Sequence, residues 1–188
     1  METILNKELI VNKSACRLIG VLGFVALMSL GAFVRIPVPF SPVPITLQTF
    51  FVLLSGAFLG AGPGLIAQAG YIFLGISGLS VFTGAGSGLA YLWGPTAGYL
   101  WGFILCVFFI GKSIKYAPRN LLSTFAIFCL GDLILLFSGA IWLKLLLGYK
   151  FTRILFIGFL PFLPGDLLKA LVAASLYLKL RSRLKEVF

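Results

Sequence analysis

The sequence of 188 residues contains no histidine and only five acidic residues, against fifteen Lys and Arg. Without histidine there is no Ser-His-Asp triad, no histidine general base and no histidine metal ligand. Cysteine is scarce too. Cys16, Cys106 and Cys129 are odd in number and lie in or beside apolar runs. They imply no disulfide framework and read as small apolar residues. So few acids and cysteines also leave no ligand set for a metal site. Gly111-Lys112-Ser113 resembles the end of a phosphate-binding P-loop, but Cys106 occupies the place of the required upstream glycine and no strand precedes it. Any energy from ATP must therefore come from another subunit.

What the chain has in excess is apolar surface. It is 60% hydrophobic and 11% charged, with 19 Phe and a mean hydropathy of +1.10. That composition belongs to a polytopic membrane protein rather than a soluble domain. Six apolar stretches, near 17–34, 45–61, 63–79, 90–110, 121–143 and 164–180, are bounded by charge, Pro or Gly clusters. Several are short for a ~30 Å hydrocarbon core, which implies tilt and unequal depth. The apolar segment 150–163 carries Pro161 and reads as a partly inserted loop rather than a span. The first run is too long for a secretory h-region and closes on Arg35, so it reads as a retained helix. The expectation is one all-α transmembrane domain over 1–188, with a short N-terminal segment 1–16 and a basic tail 181–188.

Loop charges give the orientation. An even number of spans with a cytoplasmic N-terminus puts Lys7, Lys13, Arg17, Lys112, Lys115, Arg119, Lys179, Arg181, Arg183 and Lys185 inside, and Arg35, Lys144, Lys150 and Arg153 outside. Ten against four follows the positive-inside rule and makes both termini cytoplasmic, in the cell membrane. The net charge of +10 is mostly this bias. Nucleic-acid binding fits poorly, because the basic residues are spread over separate loops.

Only Asp132 and Asp166, among the five acids, fall inside long hydrophobic runs. A charged side chain at membrane depth costs ~2.5–3.5 kcal/mol or more, which marks both as functional candidates. Asp166 and Lys169 stand three apart in Pro164-Gly-Asp-Leu-Leu-Lys169 and share a helix face. Pro164 and Asp166 suit a helix start. Lys169 does not, so the pair points to a pocket or to mutual neutralisation. Asp132 is open to pairing with Lys169, to relaying a proton, or to facing a cytoplasmic partner.

Two loops share the outer side with that pair. Arg35-Ile-Pro-Val-Pro-Phe-Ser-Pro-Val-Pro44 holds four prolines between Pro37 and Pro44, which forbids a helix and suits a stiff cover or a plain connector. It leads into Gln48 and Thr49. Thr83-Gly-Ala-Gly-Ser-Gly88 lets a backbone approach a ligand closely and offers N–H groups to an oxyanion. The aromatics around it, Tyr71, Phe82, Tyr91 and Trp93, read first as interface anchors or packing.

Taken in order, these blocks resemble a known family. The run from Arg35 to Thr49 is similar to the first-loop signature of BioY, the biotin-specific membrane subunit of energy-coupling-factor (ECF) transporters. Gly75-Ile-Ser-Gly-Leu-Ser-Val-Phe-Thr-Gly84, Leu92-Trp-Gly-Pro-Thr-Ala-Gly-Tyr99 and Pro164-Gly-Asp-Leu-Leu-Lys-Ala170 resemble it likewise, over about 18–180. The resemblance implies a six-helix S-component fold, biotin as substrate near the outer face, no cofactor, and partner transmembrane (T) and ATP-binding subunits. It implies that Asp166 and Lys169 contact biotin, with Gln68, Tyr71, Thr83, Gly84 and Ser87 completing the site.

Two departures stand out. Some relatives carry an Arg in the Gly-rich loop, where this chain has Ala85-Gly86-Ser87. The Ala-x-x-x-Ala face by which S-components dock is replaced by a looser stripe of Gly20, Gly23 and Ala26. Alternatives to biotin uptake are an S-component for thiamine or riboflavin, an ion-coupled carrier using Asp132, and a membrane enzyme using Asp132 or Asp166.

Overall fold

A chain that crosses lipid must satisfy its backbone polar groups internally, and helices do so within each segment. The structure, a computed structural model, describes residues 13–184. The side chains of Lys7, Lys13, Arg183 and Lys185, invoked above for orientation, lie outside what is described. The helices are α1 (Lys13–Phe33), α2 (Gln48–Leu59), α3 (Ala61–Ile76), α4 (Ala97–Ser113), α5 (Leu121–Leu147), α6 (Phe151–Gly158) and α7 (Leu163–Leu184). Between α1 and α2 lie two short strands, β1 (Arg35–Ile36) and β2 (Ile45–Thr46), and a 3₁₀ turn spans Leu89–Trp93.

Each of the six expected stretches holds a helix. By length and hydropathy α1 and α5 are long enough to cross a membrane, and α6 with α7 form a pair bent by 49°. The helices α2, α3 and α4 are shorter, at 12, 16 and 17 residues. The boundaries differ from expectation for local reasons. The stretch at 45–61 starts as strand, since Ile45 pairs with Ile36 and Thr46 with Arg35. The stretch at 90–110 starts as the 3₁₀ turn, and Gly94-Pro95 delays α4 to Ala97. Within segment 150–163, expected as a partly inserted loop, Phe151–Gly158 forms a short helix that does not continue straight into α7. Pro161 sits in the break before α7, where its missing N–H is tolerated.

Tight corners and small residues set the packing. Gly60, at φ +75°, turns α2 into α3 with no intervening loop. Gly98 and Gly102 of α4 lie directly against α5, where an added Cβ would strike the Trp142 side chain and the Leu135 carbonyl respectively. Small residues at such a crossing bring two backbones close, which gives dispersion contact where lipid offers no hydrophobic drive. The buried centre collects Met28, Leu53, Tyr71, Ile110, Leu135 and Ala173 from α1, α2, α3, α4, α5 and α7. Outward faces stay apolar, as with Leu18, Ile19 and Leu22 on α1 and Phe137 and Ile141 on α5. One end of the bundle carries the β1–β2 hairpin, the Gly-rich loop, α6 and the start of α7. The opposite end carries the α2–α3 corner and the α4–α5 connection.

Candidate ligand-binding site

The hairpin end holds a pocket in which the first turn of α7 meets the first turn of α2. Asp166 is 3% exposed and its backbone N–H reaches the Phe162 carbonyl at 2.9 Å. Its carboxylate pairs with Lys169 one turn on. The Thr49 hydroxyl donates to Asp166 Oδ1 at 3.0 Å and accepts from Lys169 Nζ at 2.5 Å. Lys169 also donates to the Thr46 carbonyl at 2.9 Å. A buried ion pair is tolerable only when its remaining donors and acceptors are met, and here α2 and β2 meet them.

A second polar group lies across the pocket. Gln48 Nε2 donates to the Tyr71 hydroxyl at 2.6 Å, and Gln48 Oε1 accepts from the Thr83 hydroxyl at 3.1 Å. Tyr71 donates in turn to the Val81 carbonyl at 3.1 Å. This chain ties α2 and α3 to the Gly-rich loop. The loop is folded back on α3, since Gly88 N–H bonds the Gly75 carbonyl at 2.8 Å. The ring of Phe82 lies over Gly75, leaving no room there for a Cβ, and is stacked on Tyr91 at 4.5 Å.

The walls between these groups are Val43 and Pro44 of the hairpin with Tyr99, Leu100 and Phe103 of α4 and Leu135 of α5. The enclosed space is about 40 Å³. That is room for roughly three waters, against the several hundred Å³ usual for a ligand of vitamin size.

Of the residues singled out from sequence, Asp166, Lys169, Tyr71 and Thr83 line this one pocket. Gly84 and Ser87 are exposed on the loop beside it. Gln68 lies deeper, fully buried, donating to the Ser55 hydroxyl at 2.9 Å with its own Oε1 unpartnered among the described residues. Tyr71 and Tyr91 are pocket walls rather than interface anchors, whereas Trp93 is exposed. Gln48, Thr49 and Tyr99 were not singled out. The signal for the first two was their place straight after the Pro-rich run. Tyr99 had no such flag, and its hydroxyl donates to the Gly158 carbonyl at 2.5 Å.

Asp132 stands apart from this network. It is 4% exposed, and Oδ1 has no partner among the described residues. Lys169 is engaged by Asp166, Thr46 and Thr49 instead. A cavity of about 70 Å³, bordered by Asp132, Cys129, Asp166 and Leu167, separates the two carboxylates. Arg35 arrives unexpectedly at the pocket mouth. Its guanidinium nitrogen lies 2.8 Å from where a Cβ on Gly84 would stand, and Gly84 itself has φ +77°. The positive φ favours glycine there, while the Arg35 side chain, exposed and flexible, could give way to a Cβ.

A family model described as "BioY family" matches residues 6–186. This chain belongs to the BioY family. Among its BioY relatives, a Biotin transporter BioY of Thermotoga maritima is 38% identical over 165 residues, covering 84% of this chain and 91% of that protein. A Biotin transporter BioY of Rhizobium etli is 36% identical over 158 residues, covering 80% and 84%. In three dimensions this BioY chain is similar to a 2.1 Å crystal structure of the S-component for biotin from an ECF-type ABC transporter. The TM-score is 0.85 at 30% identity, covering 93% of this chain and 95% of that one. The fold is therefore that of an ECF S-component.

Proposed function

We propose that this protein binds biotin at the hairpin end of the bundle and carries it across the cell membrane as the substrate-specific subunit of an ECF-type transporter. The observation that carries the reading is the Asp166–Thr49–Lys169 triangle, buried at the pocket wall in a BioY-family fold. A ureido ring offers N–H donors and a carbonyl acceptor. Asp166 accepts from the first and Lys169 donates to the second, each exchanging part of its bond to Thr49 for one to the ligand. Tyr71, Thr83 and Tyr91 face the ring from the α3 side, and Val43 and Pro44 cover it.

The valerate carboxylate then points to the mouth. Arg35 takes it there, standing over Gly84 in place of the loop arginine that this chain lacks. The backbone N–H groups of Gly84 and Ala85 make no hydrogen bond to other described residues and add to the same anion site. Gly84 and Ser87 thus act through loop backbone and hydroxyl, while Gln68 supports the wall behind Tyr71.

The pocket end faces outward, and both termini face the cytoplasm. ATP hydrolysis belongs to partner subunits, with a T subunit docking on the outward face of α1, where nothing lies within 4 Å of a Cβ on Gly23. The test is equilibrium binding of radiolabelled biotin to purified protein, beside an Asp166→Asn/Lys169→Ala variant. Saturable one-site binding that collapses in the variant supports the reading. No binding by the folded intact protein overturns it.

A further inference from the structure

The opposite end of the bundle holds a recess of about 440 Å³ that the biotin reading does not use. Its floor is the backbone of the α2–α3 corner, Gly60 to Pro63. Gly111 of α4 presses so closely on this corner that a Cβ there would strike Ala61 N. Three cations stand around the rim: Arg17 from α1, Lys115 just beyond α4, and Arg181 from α7. Lys115 reaches over the corner, its Cε lying 3.9 Å from where a Cβ on Gly60 would be. None of the three pairs with a carboxylate among the described residues.

Tyr177 supplies a second, independent observation. It lines the recess at 3% exposure, with the Arg181 guanidinium 5.4 Å from its ring centroid. Its hydroxyl makes no hydrogen bond to any described residue, unlike Tyr71, Tyr91 and Tyr99, whose hydroxyls all donate to carbonyls. Beside it, the first-turn N–H groups of Ala61 and Gly62 have no carbonyl of their own helix to reach. A phenol hydroxyl, first-turn amides and three cations without a carboxylate partner converge on one concavity, which the carbonyl end of α2 also borders. Its complement is a compact, multiply charged oxyanion.

We propose that this recess is a binding site for a phosphate group. Two guanidinium forks and one ammonium match phosphate oxygens, and the Tyr177 hydroxyl and the corner amides supply the remaining donors. The recess lies at a helix-end level with Arg17 on its rim, and the exposed Leu18 and Ile19 that follow on α1 keep the surface next to that rim apolar. Basic pockets between helices at this level suit anionic headgroups, and an anionic phospholipid is accordingly the source tested first.

Purified protein in detergent is exposed to phosphatidylglycerol or to phosphatidylcholine, and retained lipid is counted by native mass spectrometry. A parallel arm adds millimolar inorganic phosphate and follows the melting temperature. The variants are Lys115→Gln/Arg181→Gln and the milder Tyr177→Phe, with biotin binding at the other end as the control for folding. The expected result is preferential retention of phosphatidylglycerol, reduced at least about tenfold in the double variant and less in Tyr177→Phe, with biotin affinity unchanged. If inorganic phosphate alone raises the melting temperature, and does so only in the intact protein, the phosphate site stands and free anion is its source. If the variants retain lipid as the intact protein does, and phosphate has no effect on any of them, the proposal fails and the recess passes to an acidic segment of a partner subunit.

Discussion

Thr49 and Asp166, 117 positions apart in sequence, are joined by a hydrogen bond of 3.0 Å inside the bundle, and the same threonine oxygen accepts from Lys169. One hydroxyl thus holds a buried acid and base in the geometry in which a ligand would meet them. Replacing Thr49 by Val keeps the shape and removes the donor and acceptor together. Leaving buried charged groups short of a partner costs about 1–3 kcal/mol. Thr49→Val is expected to weaken biotin binding on the order of tenfold while the protein still folds, read by titration calorimetry in detergent.

Asp166 and Lys169 neutralise each other, so removing either strands the other. Asp166→Asn and Lys169→Ala should each lower affinity by two or more orders of magnitude, at about 1.4 kcal/mol for each order. The double variant should lose less than the sum of the two. A double-mutant cycle on radiolabelled-biotin binding measures this, and strict additivity would argue against a coupled pair.

Arg35 is exposed and bonded to nothing in the core, so its loss should spare the fold. Arg35→Ala is expected to weaken biotin by about tenfold, the scale of one charge-assisted contact. A neutral ligand such as biotinamide should lose nothing. Competition between the two ligands separates a carboxylate contact from a general effect on the loop.

Gly139 of α5 lies against the ring of Tyr99, where no Cβ fits. Gly139→Ala should force that ring or the helix aside and cost roughly 1–3 kcal/mol. The expected readout is a lower thermal midpoint, followed by tryptophan fluorescence, with weaker biotin binding, because Tyr99 is a pocket wall.

Asp132 contributes no ion pair to the pocket. Asp132→Asn is isosteric and removes the possibility of an unpaired buried charge. It should leave biotin affinity within about threefold and the thermal midpoint equal or higher. A large loss of transport with binding intact would instead point to a proton or coupling role for this residue.

How much was legible beforehand differs by residue. Asp166 and Lys169 were readable because charge in an apolar run is costly and their spacing of three is fixed by helix geometry. The Pro-rich and Gly-rich segments were readable as non-helical because Pro and Gly restrict or free the backbone locally, but the β1–β2 pairing inside the first was not. Segment 150–163, expected as a partly inserted loop, carries a short helix over Phe151–Gly158, because its prolines at 161 and 164 lie just past that helix and end it rather than prevent it. Gln48 and Thr49 were seen only as neighbours of a loop, because nothing local says that α2 will start opposite α7. Arg35 was assigned only to a loop charge, since no spacing rule brings it over Gly84.

By itself the sequence determined a helical membrane protein, its approximate spans, its family and the one acid–base pair at a helix start. The family came from the resemblance of its sequence blocks; the rest follow from short-range physics, namely transfer cost, helix period and backbone restriction, which act within a few residues. The tertiary structure alone decided that Thr49 bridges that pair, that Gln48 joins Tyr71 to Thr83, and that Arg17, Lys115 and Arg181 share a recess. Such contacts depend on how helices distant in sequence cross, and crossing is set by the close fit of residues such as Gly98, Gly102 and Gly111 to the neighbouring backbones, which no local pattern records.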